Sequence, residues 1–235
     1  MKHYLDHFEI IRVDETDSTN NAIRNHEHSP GKEFLVISAE YQTGGKGQRG
    51  NSWESARGKN LLFSLSCHPT FLHAQQQFLL SQIISLSVLD VFRHYIRRFS
   101  IKWPNDIVCG GKKVCGMLLE MNADEQSVHD VVAGIGINVH QKAFEGDIAK
   151  TASSLDLLTG RTICRADVVR AFLEEYEAVD ALAKAGTDAL MQAYRERSAT
   201  LGQRVQVISA TGSFTGTAMD VTDSGSLIVR TDEGE

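Results

Sequence analysis

Gly44-Gly-Lys-Gly-Gln-Arg-Gly50, then Asn51-Ser-Trp53, then the apolar run Leu61-Leu-Phe-Ser-Leu65, is the stretch on which the fold turns. Its four glycines free the backbone for positive φ and let bare N–H groups approach a ligand. Lys46 and Arg49 add two cations to the loop, a combination suited to a phosphate or an acyl-phosphate. Positions 45, 47 and 50 satisfy Gly-x-Gly-x-x-Gly. A dinucleotide fold, however, needs a helix to open there and an acidic residue about 20 positions on. A strand follows instead. There is no Gly-x-x-x-x-Gly-Lys-Ser/Thr run, and the downstream elements of a protein kinase are absent. The alternative is a plain flexible surface loop.

Outward from this loop, the chain reads as strands interrupted by helices. Phe8–Val13 and Phe34–Ile37 are strand-like, and Asp17-Ser-Thr-Asn20 offers N-cap chemistry for a helix over 21–24. Apolar residues at 78, 79, 83, 86, 89, 92 and 96 predict one long core helix from Ala74 to Phe99. Ile101-Lys-Trp103 is a strand stopped by Pro104, and 106–109 with 113–121 form a hairpin about Gly110-Gly111. Val131–Val139 is a further strand, and 166–184 and 187–198 are helices. After Gly202 the texture changes to short strands at 204–208, 213–221 and 226–229, a small β-barrel-like appendix with little room for a closing strand.

Two further clusters carry charge or bare backbone. Lys102-Trp-Pro-Asn-Asp106 and Lys113-Val-Cys-Gly116 would place Lys102 and Lys113 on neighbouring strand ends, where they could meet negative charge that builds during a reaction. Lys112 and Lys113 read equally as solvated turn residues, and Asn105-Asp106 as turn formers. In Gly134-Ile-Gly-Ile-Asn138, strand glycines signal close approach of a ligand or of another backbone, or else a tightly packed core strand. The nine histidines show no metal-ligand spacing; His26, His28 in a polar turn and His94 on the long helix read as solvated or core residues, so no protein-held metal is expected. Cys67, Cys109, Cys115 and Cys164 form no Cys-x-x-Cys pair, and no Gly-x-Ser-x-Gly elbow occurs. What remains is cations and N–H groups without an evident nucleophile.

The composition is that of an ordinary globular protein: 235 residues, 42% hydrophobic and 23% charged. A net charge of −6 argues against a protein that coats nucleic acid or an anionic membrane. With no signal peptide and no apolar run near 20 residues, a cytoplasmic protein is expected.

Taken in order, Asp17–Asn20, Ala39-Glu-Tyr-Gln-Thr-Gly-Gly-Lys-Gly-Gln-Arg-Gly-Asn-Ser-Trp53, Lys102–Asp106, Lys113–Gly116 and Gly134–Asn138 resemble the biotin protein ligase family. One such motif is weak; five in order are specific. The resemblance implies an α+β fold, with a mixed-sheet catalytic domain (1–199) akin to class II aminoacyl-tRNA synthetases and a small SH3-like C-terminal domain (200–235). It also implies that biotin and ATP form biotinyl-5′-adenylate, and that biotin then passes to one lysine of a biotin carboxyl carrier domain. By motif, Lys113 contacts the biotin carboxylate and the α-phosphate. Ser18, Thr19, Asn20, Gln42 and the Gly45–Gly47 backbone hold biotin, and Lys46, Gln48 and Arg49 lie in the closing loop. Trp53, Asn105, Asp106, Gly116 and Asn138 border the nucleotide, and Mg²⁺ rides on the ATP phosphates. Lys113, Lys46 and Arg49 are the expected catalytic cations.

The loop departs from the family pattern at positions 46, 48 and 51. Well-known members read Gly-Arg-Gly-Arg-Arg-Gly-Arg where this chain has Gly45-Lys-Gly-Gln-Arg-Gly-Asn51, so two charges are lost. With a strand beginning by Phe8 and an acidic balance, a ligase without a DNA-binding domain is expected, as a monomer or a homodimer. The rival readings are a lipoate or octanoate ligase of the same fold, and a biotin-binding module without catalysis.

Overall fold

A computed structural model describes residues 6–68, 77–123, 128–209, 212–232 and 234. Its main sheet has seven strands: β1 (Phe8–Thr16), β2 (Phe34–Gln42), β3 (Leu61–Cys67), β4 (Phe99–Lys102), β5 (Asp106–Cys109), β6 (Lys112–Ala123) and β7 (Val128–Ile137). They lie in the order β1-β2-β3-β7-β6-β5-β4. β1 and β2 run parallel, and every other neighbouring pair is antiparallel. This is the mixed sheet of an α+β protein, as expected. The hairpin about Gly110-Gly111 is present, both glycines holding positive φ.

Period-two alternation gives the sheet two unlike faces. One carries Phe63, Leu65, Met117, Ala133, Ile135 and Ile137 and packs beneath the helices α2 (Gln77–Arg93), α5 (Arg165–Ala185) and α6 (Asp188–Glu196). α2 is buried nearly all round, and its Ser85 and Ser87 hydroxyls donate back to the Ser81 and Ile83 carbonyls, which removes the cost of burying them. On the other face a short helix, α1 (Thr19–Ile23), rests its Ile23 on Leu35, Ile37 and Val132. The rest of that face is open, and the site occupies it.

The long-helix expectation needs correction. α2 ends at Arg93, His94 falls in a turn, and Phe99 opens a strand paired with Cys109. The reversal lets Phe99 pack on Phe92 at 5.1 Å, so the apolar residue at 96 belongs to the turn beneath the core. Residues 74–76 lie outside the described ones. Two short helices, α3 (Ile148–Thr151) and α4 (Leu155–Thr159), were not foreseen.

At the C-terminal end β8 (Arg204–Ser209), β9 (Gly212–Val221) and β10 (Leu227–Arg230) form a separate antiparallel sheet in the order β10-β9-β8. It is docked firmly: Val221 belongs to the main core, Arg195 pairs with Asp220 at 2.7 Å, and Trp103 Nε1 donates to the Gly225 carbonyl at 3.0 Å.

Leu89, fully buried at the centre of α2, is expected to cost about 3 kcal/mol on Leu89→Ala by lost transfer energy and a residual cavity. A chemical-denaturation midpoint measures it; a change under 1 kcal/mol would contradict the packing described.

Candidate functional site

The open face is built in rows by strand register. Ala39, Leu62, Gly136 and Gly116 stand side by side across β2, β3, β7 and β6; the next row is Ile37, Ser64, Gly134 and Leu118. The row beyond is Leu35, Ser66, Val132 and Glu120. Three of these positions, all on the two central strands, carry no side chain. Gly116 and Gly136 are directly opposite each other, and the indole of Trp53 lies on them: a methyl at Gly136 would stand 2.5 Å from Trp53 Cε2, and one at Gly116 3.0 Å from Cζ3. A methyl at Gly134 would overlap the Asn20 side-chain oxygen. Close approach is therefore what these strand glycines serve, and the neighbours are Trp53 and Asn20.

The glycine loop is folded on itself. After β2 ends, Trp53 N–H donates to the Gly45 carbonyl at 2.9 Å and Gly47 N–H to the Asn51 carbonyl at 2.7 Å, around a 3₁₀ turn over Gln48–Gly50. Gly45 abuts the Trp53 carbonyl too closely for any side chain, whereas Gly50 supplies the positive φ. Lys46 Nζ donates to Asn21 Oδ1 at 3.1 Å, and Gln48 Nε2 to Asn105 Oδ1 at 3.1 Å, so the loop is tied at both sides.

Loop, α1 and sheet enclose a cavity of about 460 Å³ lined by Ser18, Thr19, Asn20, Gln42, Lys46, Gly47, Gln48, Trp53, Lys102, Asp106, Lys113 and Gly116 among others. At one end the groups are polar and neutral: Gln42 Oε1 accepts from the Thr19 N–H at 2.7 Å and lies 3.0 Å from Thr19 Oγ. At the other they are charged. Lys113 Nζ sits 2.8 Å from Asp106 Oδ1, with its chain folded over Gly116 and its ammonium 5.7 Å from the Trp53 ring centre. Asp106 is also register partner to Lys102, so the two lysines flank one carboxylate from the two strands beside β5 rather than from neighbouring strands. Asp17, below α1, accepts from the Asn21 amide and from the Ser18 N–H at 2.7 Å at the helix start; these bonds keep its pKa below the usual carboxylate range.

Some expected residues stand elsewhere. Asn138 is buried behind the wall, its amide donating to the Ser153 carbonyl at 3.1 Å and accepting from Asn60 at 3.3 Å, so it ties the end of β7 to the loop beyond. Asn105 is buried too, spanning Gln48 and the Met117 carbonyl at 2.9 Å. Gly45 faces an adjoining hollow. The side chain of Arg49 lies outside the described residues. Leu62, Pro104 and Leu118, which also line the cavity, were not singled out from sequence.

No thiol among the described residues lines the cavity. Burial pushes Cys67 up to about 12 and raises Cys115, beside the cavity, as well. Among the described residues no group of three or more His, Cys, Asp or Glu is assembled for a metal ion. No helix among the described residues is long and apolar enough to cross a membrane. Cations, amides and an aromatic plate are arranged for charge stabilisation and positioning.

Comparison with known proteins agrees with that chemistry. Residues 11–138 match the model of the biotin/lipoate A/B protein ligase family, and residues 200–235 that of the biotin protein ligase C-terminal domain. The chain is 30% identical over 230 residues to the bifunctional ligase/repressor BirA of Bacillus spizizenii, covering 96% of this chain and 70% of that protein. It is 32% identical over 198 residues to a biotin–[acetyl-CoA-carboxylase] ligase of Mycobacterium tuberculosis, covering 82% and 72%. Among solved structures, biotin protein ligase from Aquifex aeolicus in complex with biotin and ATP superposes with a TM-score of 0.81 at 28% identity, covering 96% and 93% of the two chains.

Gly136→Ala should force the Trp53 ring outward by about 1 Å, since ordinary carbon contacts lie near 3.5–4.0 Å. A shifted tryptophan emission with little change in melting midpoint is expected; unaltered emission would contradict the seat described.

Proposed function

This chain belongs to the biotin/lipoate A/B protein ligase family, and on that footing we propose that it is a biotin–[biotin carboxyl carrier protein] ligase. In the first half-reaction a biotin carboxylate oxygen attacks the α-phosphorus of ATP and pyrophosphate leaves. In the second, a lysine amine of the carrier domain attacks the acyl carbon of biotinyl-5′-adenylate and AMP leaves. The observation that carries this reading is the polarity of that cavity: neutral amide and hydroxyl groups at one end, and at the other Lys102 and Lys113 about Asp106 beside an indole. Biotin is a neutral ring joined to an anionic tail, and the nucleotide brings phosphates.

The ammonium of Lys113 is the group we assign to the reacting centre, where charge builds on the α-phosphate. Its pair with Asp106 is 39% and 24% exposed at the two side chains, a setting in which an ion pair is worth no more than about 1 kcal/mol. Lys113 is thus oriented by Asp106 yet exchanges it for a phosphate at small cost. Lys46, and Arg49 by its motif, supply further positive charge from the loop. Ser18, Thr19, Asn20, Gln42 and the Gly45–Gly47 backbone are assigned to biotin, with Trp53, Asp106 and Gly116 beside the nucleotide. Mg²⁺ is assigned to the ATP phosphates, because hard cations of this size keep most of their water and need one or two carboxylates at most. Residues 1–199 are taken as the catalytic unit and 200–235 as the appended one; a protein carrier rather than DNA is the partner that suits a net charge of −6.

Biotin-dependent exchange of labelled pyrophosphate into ATP tests the reading, with lipoate in parallel. Exchange with biotin alone is expected; exchange with lipoate alone would move the chain to the other branch of its family. Lys113→Ala should lower that exchange by about 10²-fold or more while biotin still binds, because the missing charge counts most in the transition state. Normal turnover in the variant would remove Lys113 from the reacting centre.

Gln48 holds its amide on Asn105, where an arginine would carry a charge. A charged hydrogen bond exceeds a neutral one by roughly 1 kcal/mol, several-fold in rate. Gln48→Arg should therefore slow release of labelled biotinyl-adenylate several-fold in a chase with unlabelled biotin, and Arg49→Ala should speed it. Equal rates in all three proteins would show that this loop's side chains do not retain the intermediate.

A further inference from the structure

Behind the neutral end of the cavity runs a chain of short hydrogen bonds whose direction is decided outside it. Asn20 Nδ2 lies 2.7 Å from Glu120 Oε2 and 3.5 Å from the Leu118 carbonyl. Both neighbours only accept, so the NH₂ of Asn20 must face them and its oxygen must face inward. That oxygen is 2.6 Å from Ser64 Oγ, which is itself 2.8 Å from Thr19 Oγ. Asn20, Ser64 and Thr19 are all buried, and Arg24 lies 3.3 Å from the same Glu120 oxygen.

Three contacts share the two hydroxyl protons of Ser64 and Thr19, so one contact goes without, and the two shorter, at 2.6 and 2.8 Å against 3.0 Å, take them. Ser64 has one hydroxyl proton, and the inward-facing Asn20 oxygen claims it. The Ser64–Thr19 contact can then carry a proton only if Thr19 donates to Ser64. Thr19 Oγ and Gln42 Oε1, 3.0 Å apart on the cavity wall, are left as two acceptors with no proton between them. A ligand N–H placed there supplies the proton that contact lacks, whereas a ligand acceptor adds a third lone pair. Buried polar groups left unpaired in this way are what makes a site reject an analogue lacking the donor.

We propose that Glu120, outside the cavity, is a positioning residue that sets the wall at Thr19 and Gln42 as a hydrogen-bond acceptor, through Asn20 and Ser64, and so selects a ureido N–H over an isosteric acceptor. This rests on the reading of the cavity as the biotin site. Without the carboxylate the Asn20 amide is free to turn over, its NH₂ donates to Ser64, and the relay reverses until Thr19 presents a donor.

The test compares equilibrium binding of biotin with that of its cyclic-carbamate analogues, in which one ureido N–H is a ring oxygen. The native protein should prefer biotin by about tenfold or more over the analogue whose oxygen faces Thr19. Glu120→Leu should shrink that ratio to within about twofold with ATP binding unchanged. Glu120→Gln, whose side-chain oxygen still accepts from Asn20, should keep most of it. Simple loosening of the wall would weaken both ligands and leave the ratio intact. Ser64→Ala, which cuts the relay with the loss of one oxygen, should also shrink the ratio and decides the matter if the leucine variant does not fold. A ratio unchanged in both Glu120→Leu and Ser64→Ala, or no preference in the native protein, overturns the proposal. Failure of the native protein to bind biotin at all would instead overturn the assignment of the cavity and this inference with it.

Discussion

Three positions without side chains, Gly116, Gly134 and Gly136, sit in the middle of a sheet whose other face is packed with Leu, Ile, Val and Phe, and the site depends on them. Strand register puts Gly116 opposite Gly136 and Gly134 opposite Leu118 and Ser64, so the bare patch is continuous. An aromatic plate can lie flat there, and a buried amide can reach the strand backbone, because no Cβ intervenes. Central strands tolerate glycine poorly for entropic reasons. Here α2, α5 and α6 fix those strands from behind, which offsets that cost and keeps the front face open.

The charged end is held from a different direction. Trp103 donates its indole N–H to Gly225 and its backbone N–H to Thr200 Oγ1 at 2.9 Å, while the buried Tyr194 hydroxyl donates to the Pro104 carbonyl at 2.8 Å. The wall Lys102-Trp-Pro is thus clamped by α6 and by the C-terminal sheet, which gives that appended sheet a part in shaping the cavity. The glycine loop closes the front, tied through Gln48 to Asn105 and through Lys46 to Asn21. Lys113, partly exposed in its pair with Asp106, can change partners at small cost.

Much of this was legible in the order of motifs. The loop, the Lys102–Asp106 run, the Gly110-Gly111 hairpin and Lys113 are local patterns, and the structure gathers most of them about one cavity. What was not legible depended on pairing between distant strands. Ser64 and Glu120 look like an ordinary serine and a solvated carboxylate until register sets them around Asn20. Asn138, which its motif places at the nucleotide, donates its amide to the Ser153 carbonyl of a neighbouring loop, a tie that only the folded chain shows. The boundary of α2 was misread because apolar spacing persists into the turn where Phe99 doubles back on Phe92, and periodicity alone does not distinguish those cases.

The central claim is that the bare Gly116–Gly136 seat positions Trp53 against the nucleotide. Trp53 Nε1 is buried without a hydrogen-bond partner among the described residues, whereas the indole of Trp103 is bonded to Gly225. These are the two tryptophans of the chain, so a ¹⁵N-edited spectrum shows two indole signals. Adding biotin, ATP and Mg²⁺ should move the Trp53 signal strongly as adenylate forms and leave the Trp103 signal nearly in place. Adenylate formation with an unmoved Trp53 signal would contradict the account.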